Sequence, residues 1–272
     1  MSYLDEKFAL DKKTVVLTGG GGAIAGALSE AYLRAGAKIV LWDIVQEALD
    51  SARTRLSDVT GKGESIYCDI VDTTDEGSVQ KAIESAEKNF AAPNVLVNAA
   101  GGNRGKSSFV ETDMEQFEFV LKLNLVAGLM VPTKVMAAYW IDKKIKGSII
   151  NLSSMAAYVP LSGVWAYDAA KAAVTNLTMA AAKEFAPNGI RVNALAPGFF
   201  IGKQNRALLI KNDKTGELTE RGQTVIDHTP FGRFGDVSEL GGAVIFLSSD
   251  EAAGFITGII LPIDGGYLIQ NI

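Results

Sequence analysis

Tyr167 and Lys171 stand four residues apart in "YDAAK", and Ser154 precedes the tyrosine by thirteen. On a helix, side chains four apart share a face, so phenol and ammonium would lie together. A free tyrosine ionises near pH ~10 and is a poor acid–base group at neutral pH. A neighbouring ammonium favours the phenolate and lowers that value. A serine hydroxyl at a strand end can polarise a carbonyl oxygen. Such a trio could pass a proton to the alkoxide that hydride addition to a carbonyl creates, or take it back. The bare pattern YxxxK is short, and alone it describes a surface tyrosine and lysine equally well.

The second constellation is "VVLTGGGGAIAG" (15–26), where a β-branched run ends in four glycines and a helix-like sequence follows. Gly19 to Gly22 allow a sharp turn and close approach of backbone to an anion. The next helix would aim free N–H groups and its positive dipole end at the same place. Ala23 and Ala25 occupy positions where such loops usually keep glycine, but each adds only a methyl and removes no N–H donor. Asp43 ends the next apolar run, and Ile44, Val45 and Gln46 rather than Arg or Lys follow it. A carboxylate there accepts from both adenosine ribose hydroxyls and repels a 2′-phosphate, which favours NAD(H) over NADP(H).

These groups need a scaffold. Short apolar runs at 14–19, 38–43, 64–70, 94–101, 147–154 and 190–198 read as strands buried on both faces. Helix-like segments separate them, one of which (112–143) contains Pro132, a kink or boundary. Repeated β-α-β order implies an α/β fold: a single domain over 1–272 built on a doubly wound parallel sheet, with helices on both faces. Residues 199–235 are polar and lack a clean period, and they follow a strand's carboxyl end, which marks a substrate lid.

Composition narrows the function. Of 272 residues, 48% are apolar and 21% charged, enough for a large core and against disorder. A net charge of −5, without a basic run, argues against a nucleic-acid partner. Cys68 is the only cysteine, so neither an intrachain disulfide nor a cysteine zinc site can form. One histidine with scattered carboxylates gives no transition-metal site. No signal-peptide core is visible and no apolar stretch approaches the ~20 residues of a membrane span, so the expectation is a cytoplasmic protein with no membrane partner.

Taken together, the motifs resemble the short-chain dehydrogenase/reductase family over nearly the whole chain. "TGGGGAIA" (18–25) is similar to its TGxxxGxG loop with two glycines replaced by alanine, and "NAAG" (98–101) to its NNAG element with Ala99 departing. The resemblance implies a Rossmann fold. It implies Tyr167 as general acid/base, Lys171 as its partner and ribose ligand, Ser154 as carbonyl polariser and Asn124 as proton relay. Ser153 is the alternative to Ser154, but the thirteen-residue spacing prefers Ser154. The implied NAD(H) contacts are Gly19, Gly21, Gly22, Ala23, Ile24, Asp43, Asp69, Ile70, Asn98, Ala99, Ala100, Gly101, Tyr167, Lys171, Pro197, Gly198 and Phe200. Ile201 and Gly202 stand where the family usually has a threonine, which leaves one carboxamide contact without its side chain.

For the substrate, Lys203, Gln204, Asn205 and Arg206 in the lid and Asn103 and Arg104 after the fourth strand suit hydroxyls and a carboxylate. The lid sequence resembles the mannonate oxidoreductase (fructuronate reductase) branch, which implies a hexonate ketone reduced by NADH. A gluconate 5-dehydrogenase or another polyol dehydrogenase is the alternative, and a 3-oxoacyl thioester reductase the next. An epimerase or dehydratase would need a longer C-terminal domain, and a mere NAD sensor would not keep both Tyr167 and Lys171. His228 reads as structural. Apolar surface on 117–131 and 169–182, with the family's habit of pairing these helices, implies a homotetramer.

Overall fold

The aliphatic runs become strands, and those inside the sheet have no wet face. In the computed structural model, which describes residues 2–202 and 206–270, a short helix α1 (Tyr3–Phe8) precedes β1 (Thr14–Thr18), α2 (Ala23–Arg34), β2 (Lys38–Asp43), α3 (Gln46–Thr60), β3 (Ile66–Ile70), α4 (Glu76–Asn89) and β4 (Val95–Asn98). Then come α5 (Met114–Leu121), α6 (Val131–Lys143), β5 (Ser148–Leu152), α7 (Trp165–Phe185) and β6 (Arg191–Pro197). The last part holds α8 (Arg206–Leu209), β7 (Ile210–Asn212), β8 (Glu217–Leu218), α9 (Glu220–Asp227), α10 (Gly241–Ser248), α11 (Asp250–Ala253) and β9 (Ile260–Ile263).

Seven strands form one parallel sheet in the order β3-β2-β1-β4-β5-β6-β9. Every residue of β1 is buried because alternate side chains feed two cores. Val15 and Leu17 pack with Leu28 and Leu33 of α2, Leu56 of α3 and Leu247 of α10. Val16 points the other way, to Ile83 of α4 and Met136 and Trp140 of α6. The chain winds outward from β1 through β2 to β3, then returns on the other side at β4. The crevice at the carboxyl ends of β1 and β4 is therefore the topological switch point, where open α/β sheets bind ligands.

Two stretches depart from the expectation. Residues 114–143 form one continuous helical run whose middle, Lys122–Met130, is π-helical. Pro132 gives the reason: it has no N–H for the carbonyl of Gly128, and the Val131 N–H reaches back five residues to Val126. Pro132 thus widens the helix rather than ending it. At 30 residues, with one strongly apolar window, this run is long and apolar enough to cross a membrane, against the expectation that none would be. Yet 56% of that window is buried in the protein, where it packs against the sheet.

The second departure is the lid. It carries regular structure: α8, the antiparallel β7–β8 hairpin and α9. Leu209 and Val225 bury its inner side. Short elements with a few apolar anchors in a polar background leave little periodic signal.

Candidate active site

The glycine loop leaves β1 with Gly19 at φ +63°, where a Cβ would stand 3.0 Å from the Ala100 backbone. A Cβ on Gly21 would meet that of Ala48 at 2.5 Å. Gly22 is the N-cap of α2 and brings no side chain to its free N–H groups. Ala23 and Ile24 already lie in the helix, and Ala25 is buried, so none of them needs glycine's freedom. Asp43 fastens this loop: one carboxylate oxygen accepts from Gly21 N–H (3.0 Å) and the other from Val45 N–H (3.1 Å).

Thr18 ties β1 to the segment after β4, its hydroxyl accepting from the N–H groups of Ala99 and Ala100 at 3.0 Å each. Asn98 is buried, and its amide donates to Thr133 (2.9 Å) and Asn151 (2.8 Å), so its side chain holds strand ends together inside the protein. Gly101 is crowded by the catalytic candidates themselves: a Cβ there would lie 2.7 Å from Asn124 Oδ1 and 3.5 Å from Lys171 Nζ.

The π segment gives Asn124 its place. Its amide donates to Gly102 O (2.7 Å) and Val120 O (2.8 Å), and its oxygen accepts from Gly102 N–H (3.2 Å). On α7, Lys171 is 5% exposed and donates to Leu152 O at 2.7 Å. Its Nζ lies 5.4 Å from the centre of the Tyr167 ring. Burial pulls its pKa down from 10.5 to about 8. Burial pushes the Tyr167 phenol up, the hydrogen bond with Ser154 pulls it down, and the Asp168 charge pushes it up again. The spacing predicts that Lys171 sets this value, whereas in the folded protein burial is the leading influence. Ser153 instead bonds Thr175 (2.7 Å) and Lys171 O (3.3 Å), fixing α7 to β5. Ser154 is therefore the serine that meets Tyr167.

A family model described as enoyl-(acyl carrier protein) reductase matches residues 21–268. The chain belongs to the short-chain dehydrogenase/reductase family. An uncharacterized oxidoreductase of Haemophilus influenzae is 35% identical over 95% of this chain and 94% of its own. A provisionally named D-mannonate oxidoreductase from Haemophilus influenza, with bound NAD, superposes with a TM-score of 0.87 at 32% identity, covering 99% of both chains. A gluconate 5-dehydrogenase from Burkholderia cenocepacia, in complex with NADP and tartrate, gives a TM-score of 0.87 at 30% identity over 99% of this chain and 100% of that one. This dehydrogenase is thus an oxidoreductase of the family acting on keto and alcohol groups, and the family binds a nicotinamide cofactor.

The described residues fit that cofactor. A cavity of about 460 Å³ opens beside Gly19, Asp43 and Ala100, within the range of small-molecule sites. Val71, Asp72 and Thr73 also line it, directly after Asp69 and Ile70 at the end of β3. Their position directly after a strand's carboxyl end is the sequence signal that marks them as lining residues. Pro197 ends β6, and Gly198 N–H bonds Ile263 O at 2.9 Å. Phe200, by contrast, is 8% exposed and turns its ring into the core over Gly235. Its side chain thus packs in the core.

On the substrate side, Asn103 bonds Gly105 O (2.8 Å) and the Arg104 guanidinium lies 5.3 Å from the Phe119 ring centre. Arg206 pairs with Asp213 of the same lid at 2.8 Å, both side chains being about half exposed or more. Lys203, Gln204 and Asn205 lie outside the described residues. His228 ends α9, with Nδ1 2.8 Å from Thr224 O and its ring facing Tyr267 at 6.4 Å. Among the described residues no three His, Cys, Asp or Glu side chains are grouped to hold a metal ion.

Proposed function

We propose that this protein is an NAD(H)-dependent oxidoreductase interconverting a ketone and a secondary alcohol on a sugar acid, with D-fructuronate/D-mannonate as first candidate. Gluconate 5-dehydrogenase chemistry is the second, favoured by the Burkholderia neighbour. The observation that carries the reading is the meeting of Tyr167, Ser154 and Lys171 beside the switch-point crevice. The nicotinamide, when bound, supplies or accepts the hydride. Ser154 polarises the carbonyl oxygen, and Tyr167 gives its proton to that oxygen as the alkoxide forms. In the oxidative direction Tyr167 takes the proton from the alcohol. Lys171 supplies positive charge near the phenol, and Asn124 steadies the backbone at Gly102.

Asp43 supports NAD over NADP. Its Gly21 and Val45 hydrogen bonds fix the carboxylate at the β2 end, where a 2′-phosphate would meet its charge. Since Arg206 is paired, Arg104 becomes the first candidate for the substrate carboxylate: it has no acidic partner among the described residues.

One experiment tests these readings. Purified enzyme is given keto-hexonates and neutral keto sugars with NADH or NADPH. Turnover of a keto-hexonate with NADH is expected, and no turnover of any keto-hexonate overturns the substrate class. NADPH binding more tightly than NADH overturns the cofactor preference, which Asp43→Ala should narrow. Arg104→Ala should lower kcat/KM for the acid by about 1.5–3 kcal/mol of transition-state binding, and much less for a neutral sugar of equal length.

We also propose a homotetramer. Phe119, Val126 and Met130 on the α5–α6 run and Met179 on α7 are 46%, 36%, 46% and 46% exposed, a spread of apolar surface that fits association through these helices. Sedimentation at micromolar concentration should give about four times the 28.8 kDa chain; a monomer mass overturns this.

A further inference from the structure

The loop after β4 carries Asn103 and Arg104 but has no secondary structure of its own between 99 and 108. Its first end is held by Asn124 through the paired bonds to Gly102. Its other end is fastened to the start of α7 by three separate contacts. Ser107 N–H donates to Gly163 O at 3.2 Å. Trp165 Nε1–H donates to Ser107 O at 3.2 Å. The Phe109 ring meets the Trp165 ring edge-on, centroids 5.4 Å apart at 74°. Gly163 is part of the same fastening: at φ +82° it is buried, and a Cβ there would stand 2.7 Å from Lys106 Cγ and 3.1 Å from Ser107 O.

Trp165 is the first residue of the helix that presents Tyr167 and Lys171. The indole therefore bridges the loop of the substrate-side polar groups and the helix of the proton donor. Asn103, Arg104, Lys106 and Gln116 line a cavity of about 260 Å³ closed on one side by Trp165. Without the indole, the Gly163 bond alone would tie the loop's far end to α7, since the other Ser107 bond, to Thr112 at 3.3 Å, is local to the loop. A single peptide hydrogen bond contributes too little net stability to fix a loop against its conformational entropy.

We propose that Trp165 is a positioning residue for substrate selection: it sets the spacing between the Asn103–Arg104 loop and Tyr167, and so the fit of a polar substrate's far end. This rests on the sugar-acid reading above. A guanidinium grips a carboxylate usefully only when its distance from the reacting carbon is fixed.

Trp165→Ala removes both indole contacts, and Trp165→Phe keeps a ring against Phe109 while losing the N–H. For the best keto-hexonate, Trp165→Ala should raise KM about tenfold or more with kcat within about twofold, and Trp165→Phe should fall between. In an Arg104→Ala background the same change should cost less than about threefold, since both act on one contact. NADH affinity should stay within twofold of wild type. Amide exchange of 103–109 should quicken in Trp165→Ala while that of α7 beyond Lys171 does not. Equal loss of kcat and cofactor binding, full additivity with Arg104→Ala, or unchanged exchange at 103–109 overturns the proposal. If wild type reduces no keto-hexonate, the substrate reading fails by itself; the exchange comparison and the KM split on whichever ketone is turned over still decide the role of Trp165.

Discussion

Tyr167→Phe is expected to lower turnover by about 10²–10⁴-fold in both directions while the NADH dissociation constant moves less than twofold. The substitution removes one oxygen and keeps the ring, so packing around α7 is preserved. What disappears is the proton source for the alkoxide and the bond to Ser154. Burial holds the phenol protonated above its ordinary range, which suits it to donate in the reductive direction and makes the oxidative direction wait for the phenolate. Oxidation should therefore speed up as pH rises. Asp168 adds to the upward push, so Asp168→Asn should move the oxidative pH profile toward lower pH. The measurement is kcat for reduction and oxidation across pH, with NADH binding followed by fluorescence. Near-normal turnover by Tyr167→Phe would remove the tyrosine from the mechanism.

The parts legible in the sequence are those where one physical constraint dominates. Strands β1 to β6 stand where the apolar runs put them, with β2 untrimmed and the others shortened by one to four residues, because burial on two faces keeps most of their positions apolar. The spacing from Ser154 to Tyr167 and Lys171 was readable because strand end and helix face fix it. What stayed hidden depends on contacts between distant segments. Arg206 looks like a free cation until Asp213, seven residues on, folds back across the hairpin. That the Asn98 side-chain amide ties strand ends together is hidden until Thr133 and Asn151 are seen to accept from it. The π segment around Asn124 needed the link between Pro132 and the carbonyl it cannot serve. Trp165 reads as an ordinary apolar residue at a helix start, since nothing local tells that Ser107 and Phe109 will meet it.

Lys171→Met is expected to lose turnover by about 10²-fold or more and yet to melt higher than wild type at pH 7. The two effects have one cause. The ammonium is 5% exposed, and its hydrogen bond is to Leu152 O. Burial lowers its pKa from 10.5 to about 8, so the folded protein gives up the proton well before the unfolded chain does. Below pH 8 both states hold the proton and the folded state bears the full cost of the buried charge, about 3 kcal/mol at the usual conversion. Between pH 8 and 10.5 the unfolded chain binds more protons, so wild-type stability rises with pH by linkage. Methionine has a similar length and no charge, and it leaves only the Leu152 carbonyl without a donor, worth about 1–3 kcal/mol against the gain. The variant's advantage should therefore be largest near pH 7 and shrink steadily toward pH 10. Thermal unfolding of both proteins at pH 7, 8, 9 and 10 reads this directly. A gap that does not change with pH would show that Lys171 bears no such cost. A gap that shrinks while turnover is lost would show a charge kept at the expense of stability because the proton transfer at Tyr167 needs it.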